Sequence, residues 1–267
     1  MEVAQAIAAR QGISLEGLGC SPEKRAELLN RTAGTLTGYN CTTCNNRGWI
    51  YRAVDSDIVE IPCKCQKTRQ VLRVAKASGL HDALVVKKLS NFETTEPFQT
   101  KIKAAAEKFL ASPSKGFFIG GQSGCGKTHI CTAIFGELIK RGMTAHYTTW
   151  RSEIARMKRC ATNDEEYRQI MHRLQSVDAL YIDDLFKVRR SSGGVDVGAI
   201  TNGDINIAFE VLDYRNNQPR QITLISSEFF LAEIVDIDEA TGGRIKQMCG
   251  TNFVEVDRRD GRNYRLR

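Results

Sequence analysis

The chain has 267 residues, 42% hydrophobic and 26% charged, with 38 Lys and Arg against 31 Asp and Glu for a formal net charge of +7. This balance is ordinary for a globular protein with room for one large domain, one small one and a sizeable core. No stretch approaches the roughly eighteen apolar residues that span a bilayer, and MEVAQAIAARQG lacks the basic-then-apolar pattern of a signal peptide.

The expectation is therefore a cytosolic protein in which thiols stay reduced, so its nine cysteines need a reason other than disulfides. The basic excess is uneven. Residues 1–65 are balanced, whereas Lys67, Arg69, Arg73, Lys76, Lys87 and Lys88 face only Asp82, and Arg258, Arg259, Arg262, Arg265 and Arg267 crowd the last dozen positions. An acidic partner such as nucleic acid and a solvated helix face both fit this pattern.

In chain order, residues 1–38 read as two short helices. Val3, Ala6 and Ile7 make one small apolar face ended by Gly12, and Ser21-Pro22-Glu23 starts a second helix with Leu28 and Leu29. Docking of a partner and a plain structural role both remain open. Next come Cys41-Thr42-Thr43-Cys44 and Cys63-Lys64-Cys65, separated by 18 residues that hold two strand-like runs, Gly48 to Arg52 and Ile58 to Ile61. Two cysteine pairs on turns, bridged by a hairpin, can place four thiolates tetrahedrally around Zn²⁺. An iron–sulfur cluster, a redox pair and free buried thiols are the other readings. Cys20, Cys125, Cys131, Cys160 and Cys249 are scattered and read as small core or loop residues, with Cys125 a weak candidate for oxidation.

Residues 66–90 form a basic helical linker broken at Ser78-Gly79. A further helix carrying Ile102, Ala105, Ala106 and Phe109 follows Pro97 and stops at Ser112-Pro113. The expected organisation is a 1–65 helical and zinc-binding domain, the 66–90 linker, and one large domain over 91–267.

Phe117-Phe118-Ile119 then runs into Gly121, Gln122, Ser123, Gly124, Cys125, Gly126, Lys127 and Thr128, a full Walker A pattern, and a helix follows with Ile130, Ala133, Ile134 and Leu138. A strand, a glycine loop and a helix N-terminus together aim backbone N–H groups and a positive dipole end at phosphate. Lys127 would reach the outer phosphates and Thr128 would bind Mg²⁺, so ATP and Mg²⁺ are the expected cofactors. Ala145-His146-Tyr147 is a strand, Trp150 to Lys158 begins a helical stretch that resumes at Asp164, and Asp178 to Asp184 is an apolar strand delivering two carboxylates. This Walker B element assigns Asp183 to the Mg²⁺ shell and Asp184 to the attacking water.

Residues 185–202, with Lys187, Arg189 and Arg190, read as a mobile loop facing nucleic acid or solvent. Asn202 to Asp204 caps a helix bearing Ile205, Ala208, Phe209 and Leu212, Pro219 ends that unit, and Ile222 to Ser227 is another buried strand. Strands near 117, 145, 179, 222 and 252 alternating with helices predict an α/β sandwich with a mainly parallel five-stranded sheet.

The ordered set GQSGCGKT, YIDDLF, AFEVLDYRNNQP, ITLISSEFF and TGGRIKQM, over residues 39–267, resembles the DnaC/DnaI type of AAA+ ATPase, phage-encoded members above all. The CTTC and CKC pairs resemble the module of its zinc-bearing members. The resemblance implies a P-loop AAA+ fold and weak ATPase activity in a cytoplasmic protein of a bacterial cell, of bacterial or phage origin. It implies binding to the replicative hexameric helicase and to single-stranded DNA, with self-association through the AAA+ domain.

By the same resemblance Ser227 and Glu228 are catalytic candidates that match the end of the sensor 1 strand, whose polar side chain contacts the γ-phosphate or the attacking water; Glu228 stands where many members have Asn, and an acid there repels phosphate unless turned away. Arg244 matches an arginine finger acting in a neighbouring subunit, with a surface arginine as the alternative. Only 23 residues follow it, so the helical lid is reduced or missing. Other readings are a transposition-helper ATPase of the related IstB type, a DNA-binding adaptor switched by ATP with negligible turnover, and a metabolic P-loop kinase, for which no substrate lid or acceptor site is found.

Overall fold

The computed structural model describes residues 21–37, 39–55, 57–77, 80–160, 163–188, 190, 191, 194, 195, 199–259, 262 and 263. The first expected helix, Cys20, the Ser78-Gly79 break, Arg189, Arg265 and Arg267 lie outside these residues. The chain divides into two compact units, Met1–Arg73 and Val74–Arg267, and the division falls inside a helix within the stretch read as the basic linker.

In the first unit, helix α1 (Pro22–Arg31) starts with Pro in its first turn and buries Ala26 and Leu29. Strands β1 (Trp49–Val54) and β2 (Asp57–Pro62) form an antiparallel hairpin in which Trp49 pairs with Pro62 and Val54 with Asp57. The cysteine pairs stand at its open end. The Arg47 guanidinium donates to the carbonyls of Leu29 and Thr32 and to Asn30 Oδ1, satisfying carbonyls that the end of α1 leaves unpaired. Helix α2 (Cys65–Ala77) starts on the last cysteine.

The second unit opens with α3 (His81–Val86) and α4 (Pro97–Ala111), the latter burying Ile102, Ala106, Phe109 and Leu110. Strand β3 (Gly116–Gly121), buried along its whole length, leads into α5 (Lys127–Lys140). There follow β4 (Ala145–Thr149), α6 (Trp150–Arg159), α7 (Asp164–Ser176) and β5 (Ala179–Leu185). A two-residue pair, β6 (Arg190–Ser191) with β7 (Gly194–Val195), lies in the stretch read as a loop. The chain continues through α8 (Asn202–Asn216), β8 (Ile222–Ser227), α9 (Leu231–Ile237), α10 (Glu239–Cys249) and β9 (Phe253–Val256).

The five long strands make one sheet in the order β4-β5-β8-β3-β9, with every pairing parallel, as the alternating pattern predicts. Their continuous apolar runs follow from burial on both faces, the usual state of a parallel sheet covered by helices. One boundary is corrected. Asn202 is the first helical residue of α8, and Thr201 is the cap: its hydroxyl accepts from Asp204 N–H while Asp204 accepts from Thr201 N–H, a reciprocal capping box.

One irregularity bears on chemistry. Beside β8, Ile182 pairs with Ile225 but Leu185 pairs with Ser227, so β5 holds one residue more than its neighbour over that interval. Asp184 sits there with a φ of 57°. The apolar face of β5 accordingly reads Leu180, Ile182, Leu185, skipping the expected next step. A bulge of this kind re-aims one side chain at a strand end.

Candidate nucleotide site and cysteine cluster

The loop from Gly121 to Gly126 turns on left-handed backbone, with φ of 73° at Gly124 and 101° at Gly126. A side chain at Gly126 would also strike the Phe92 ring, and one at Gly124 the Asn263 carboxamide, so both positions require glycine on conformation and on space. Gly126 caps α5, whose first two residues are Lys127 and Thr128. Lys127 is buried, and its ammonium donates to the Gly121 and Gln122 carbonyls at 2.9 and 2.8 Å. Burial lowers its pKa, opposed by the charges of Cys125, Glu228 and Asp184.

Across from it, Asp183, buried near the end of β5, accepts from four hydroxyls: Thr128 at 3.2 Å, Tyr147 at 3.3 Å, Tyr181 at 2.8 Å, and Ser226. Asp184 takes the other direction. Its N–H donates to Ser226 Oγ, and Asp184 lines a cavity of about 200 Å³ with the phosphate loop, Lys127, Thr128, Lys187 and Glu228, and with Lys87 and His129. The bulge makes this possible, because regular alternation would send Asp184 to the opposite face of the sheet from Asp183.

Ser227 is fully buried, donates to the Leu185 carbonyl at 2.8 Å and accepts from Phe229 N–H, so its hydroxyl ties two strand ends together. Its neighbour Ser226 is the hydroxyl that meets the Walker B carboxylate. Glu228 lies on the rim of the cavity, 3.4 Å from Lys187. Arg244 stands on α10, ion-paired with Asp213 at 2.6 Å, bonded to Gln247 and over the Phe209 ring. After it the described chain completes α10 and forms β9. Cys125 is 2% exposed, and burial raises its thiol pKa.

In the first unit the sulfurs of Cys41, Cys44, Cys63 and Cys65 lie within 4.8 Å of one another, all buried. Cys41 and Cys63 sulfurs are 3.8 Å apart and those of Cys44 and Cys65 3.5 Å. A tetrahedral ion with metal–sulfur bonds of about 2.3 Å holds its sulfurs about 3.8 Å apart. The fit is to a single ion rather than to a cluster whose ligands sit on separate irons. The N–H of Cys44 lowers the Cys41 thiol to about 6, while burial pushes Cys65 up to about 12. Gly48 N–H donates to Cys44 sulfur at 3.3 Å, the kind of outer contact that orients a ligand.

The model of the IstB-like ATP binding protein family matches residues 39–225, from just before the first cysteine through most of β8. The chain belongs to this family. YqaM of Bacillus subtilis (strain 168) is 30% identical over 246 residues, covering 86% of this chain and 72% of its own. The replicative helicase loader DnaC of Buchnera aphidicola subsp. Schizaphis graminum (strain Sg) is 27% identical over 124 residues, 45% of this chain and 50% of that protein, so the match spans about half of that relative. The crystal structure of the DnaC helicase loader shares the fold, with a TM-score of 0.50 at 18% identity over 64% of this chain and 96% of that one. The second unit is thus the P-loop AAA+ fold of an IstB-like ATP-binding protein.

Sequence reasoning missed Tyr147, Tyr181, Ser226 and Lys187 at the IstB-like site. Tyr181 was within reach, since it stands two residues before Asp183 and therefore on the same strand face. Ser226 and Ser227 offered two adjacent hydroxyls, and only the pairing register separates them. Tyr147 arrives from a different strand, two places before the end of β4, and carried no local signal.

Proposed function

We propose that this protein hydrolyses ATP to load a replicative hexameric DNA helicase onto single-stranded DNA. The carrying observation is the pocket in which Asp183 faces Thr128 while the bulge turns Asp184 toward the phosphate loop, giving a Mg²⁺ ligand and a water-activating carboxylate separate places. The similarity to a replicative helicase loader supports the choice of client. In this reading the cysteine cluster holds Zn²⁺, which organises a unit that docks on the helicase. Arg244 completes a neighbouring subunit's site when the AAA+ units self-associate, and Glu228 and Ser227 support the end of the sensor strand. Single-stranded DNA is held by phosphate contacts, so binding should fall steeply with salt.

The test is co-purification with the replicative helicase of the same replication system in ATP and in ADP, with Arg244→Ala alongside. A stable complex whose DNA loading fails in the variant supports the reading, and no helicase binding in either nucleotide overturns it. The family match favours a second reading, a transposition helper acting on duplex DNA with a transposase, and that outcome would bring it forward.

A further inference from the structure

A short turn returns the chain to the pocket after β5. Lys187 N–H donates to the Asp184 carbonyl at 3.0 Å, Phe186 adopts a φ of 59°, and the Phe186 ring is 1% exposed against Trp150 with centroids 5.8 Å apart. The buried ring fixes the turn, so Lys187 projects from an anchored base. Its ammonium stands 2.7 Å from Asp184 Oδ2 and 3.4 Å from Glu228 Oε1, on the wall of the same cavity as Lys127 and Thr128. Burial disfavours its charged form, yet hydrogen bonds and charge from Asp184 and then Glu228 prevail and raise its pKa, so it is a cation at neutral pH.

Two carboxylates on the rim would repel the terminal phosphate of a nucleoside triphosphate at the few-ångström separations the cavity allows. Asp184 earns its place by chemistry, while Glu228 has no such reason. We propose that Lys187 is a phosphate cation of the pocket beside Lys127 and Lys87: held between Asp184 and Glu228, it offsets both acids and makes the site select a triphosphate over a diphosphate. Loss of this cation removes the ammonium that sits directly on both acids, so the γ-phosphate meets more of their charge, whereas a diphosphate, ending one group short, is affected far less.

The inference rests on ATP binding and not on helicase loading, so a chain that binds nucleotide but no helicase leaves it standing. The experiment is equilibrium binding of ATPγS and of ADP, with Mg²⁺, to the full chain and three variants. Lys187→Ala should weaken ATPγS by about tenfold or more while shifting ADP by less than about twofold, the ADP affinity doubling as a check on folding. Lys187→Arg should keep the preference, and Glu228→Gln added to Lys187→Ala should recover most of the lost ATPγS affinity. Equal losses for both nucleotides, no loss, or no recovery in the double variant would each overturn the proposal.

Discussion

Asp183 meets four hydroxyls: Tyr181 on its own strand β5, and Thr128, Tyr147 and Ser226 from α5, β4 and β8, so it ties three further elements to β5. Asp183→Asn keeps the shape and one acceptor oxygen, so it should cost about 1 kcal/mol of folding stability. It should also abolish the tightening of ATP binding by Mg²⁺, which a titration of nucleotide affinity against Mg²⁺ would show. A second buried carboxylate, Glu153, has a separate role. Burial alone would raise its pKa, but His146 and a 2.6 Å bond from Thr148 outweigh it and hold Glu153 below the ordinary carboxylate value of 4.5. A depressed acid adds stability that is present above the unfolded value and is lost as pH falls through the folded one. Chemical unfolding of the wild type and Glu153→Gln should therefore differ by about 1 kcal/mol near neutral pH and converge as pH falls through the depressed folded value.

Among the elements, β8 and its neighbours depend on a side chain that no pattern announced. Arg215 on α8 is fully buried, and its guanidinium donates to Thr223 Oγ1 and to the carbonyls of Leu174, Val177, Asp178 and Ile222, gathering the end of α7, the entry to β5 and the start of β8. Burial lowers its pKa to about 9. Arg215→Met should remove about 3 kcal/mol or more of stability, because several buried carbonyls lose their donor together, and denaturant unfolding would measure it. In the sequence Arg215 is only a letter of AFEVLDYRNNQP, with nothing local to mark its burial. The elements themselves were legible, since glycines, prolines and apolar runs mark their limits, as with Pro97 at the start of α4 and the all-apolar β3. What stayed hidden was cross-strand register. Ser226 and Ser227 are indistinguishable until β8 is laid against β5, and the Thr201 cap was displaced by Asn202, an equally good capping residue one place on.

Over the whole molecule, two units of different construction share one chain. Among its described residues the first, Met1–Arg73, sets α1 over a hairpin and begins α2, and its buried centre includes the four cysteines. A metal ion in the cysteine cluster would tie these short elements together. With Zn²⁺ bound, chelation should release one ion per chain and unfold the first unit while the second keeps its thermal transition. Calorimetry of the full chain, with a colorimetric zinc assay, would test this. No helix among the described residues is long and apolar enough to cross a membrane. The fold of the second unit and the grouping of the four cysteines were both plain in the sequence, because each is written in local spacing. The extra residue in β5 was not, and its consequence concerns descent rather than chemistry. A related chain could retain both aspartates, align without a gap in its motif, and still differ if its strand lacked the offset. Asp183 would keep its hydroxyls while Asp184 faced the apolar side. In such a lineage nucleotide binding would survive as a signal after turnover had been lost, and the two aspartates alone would not reveal the change.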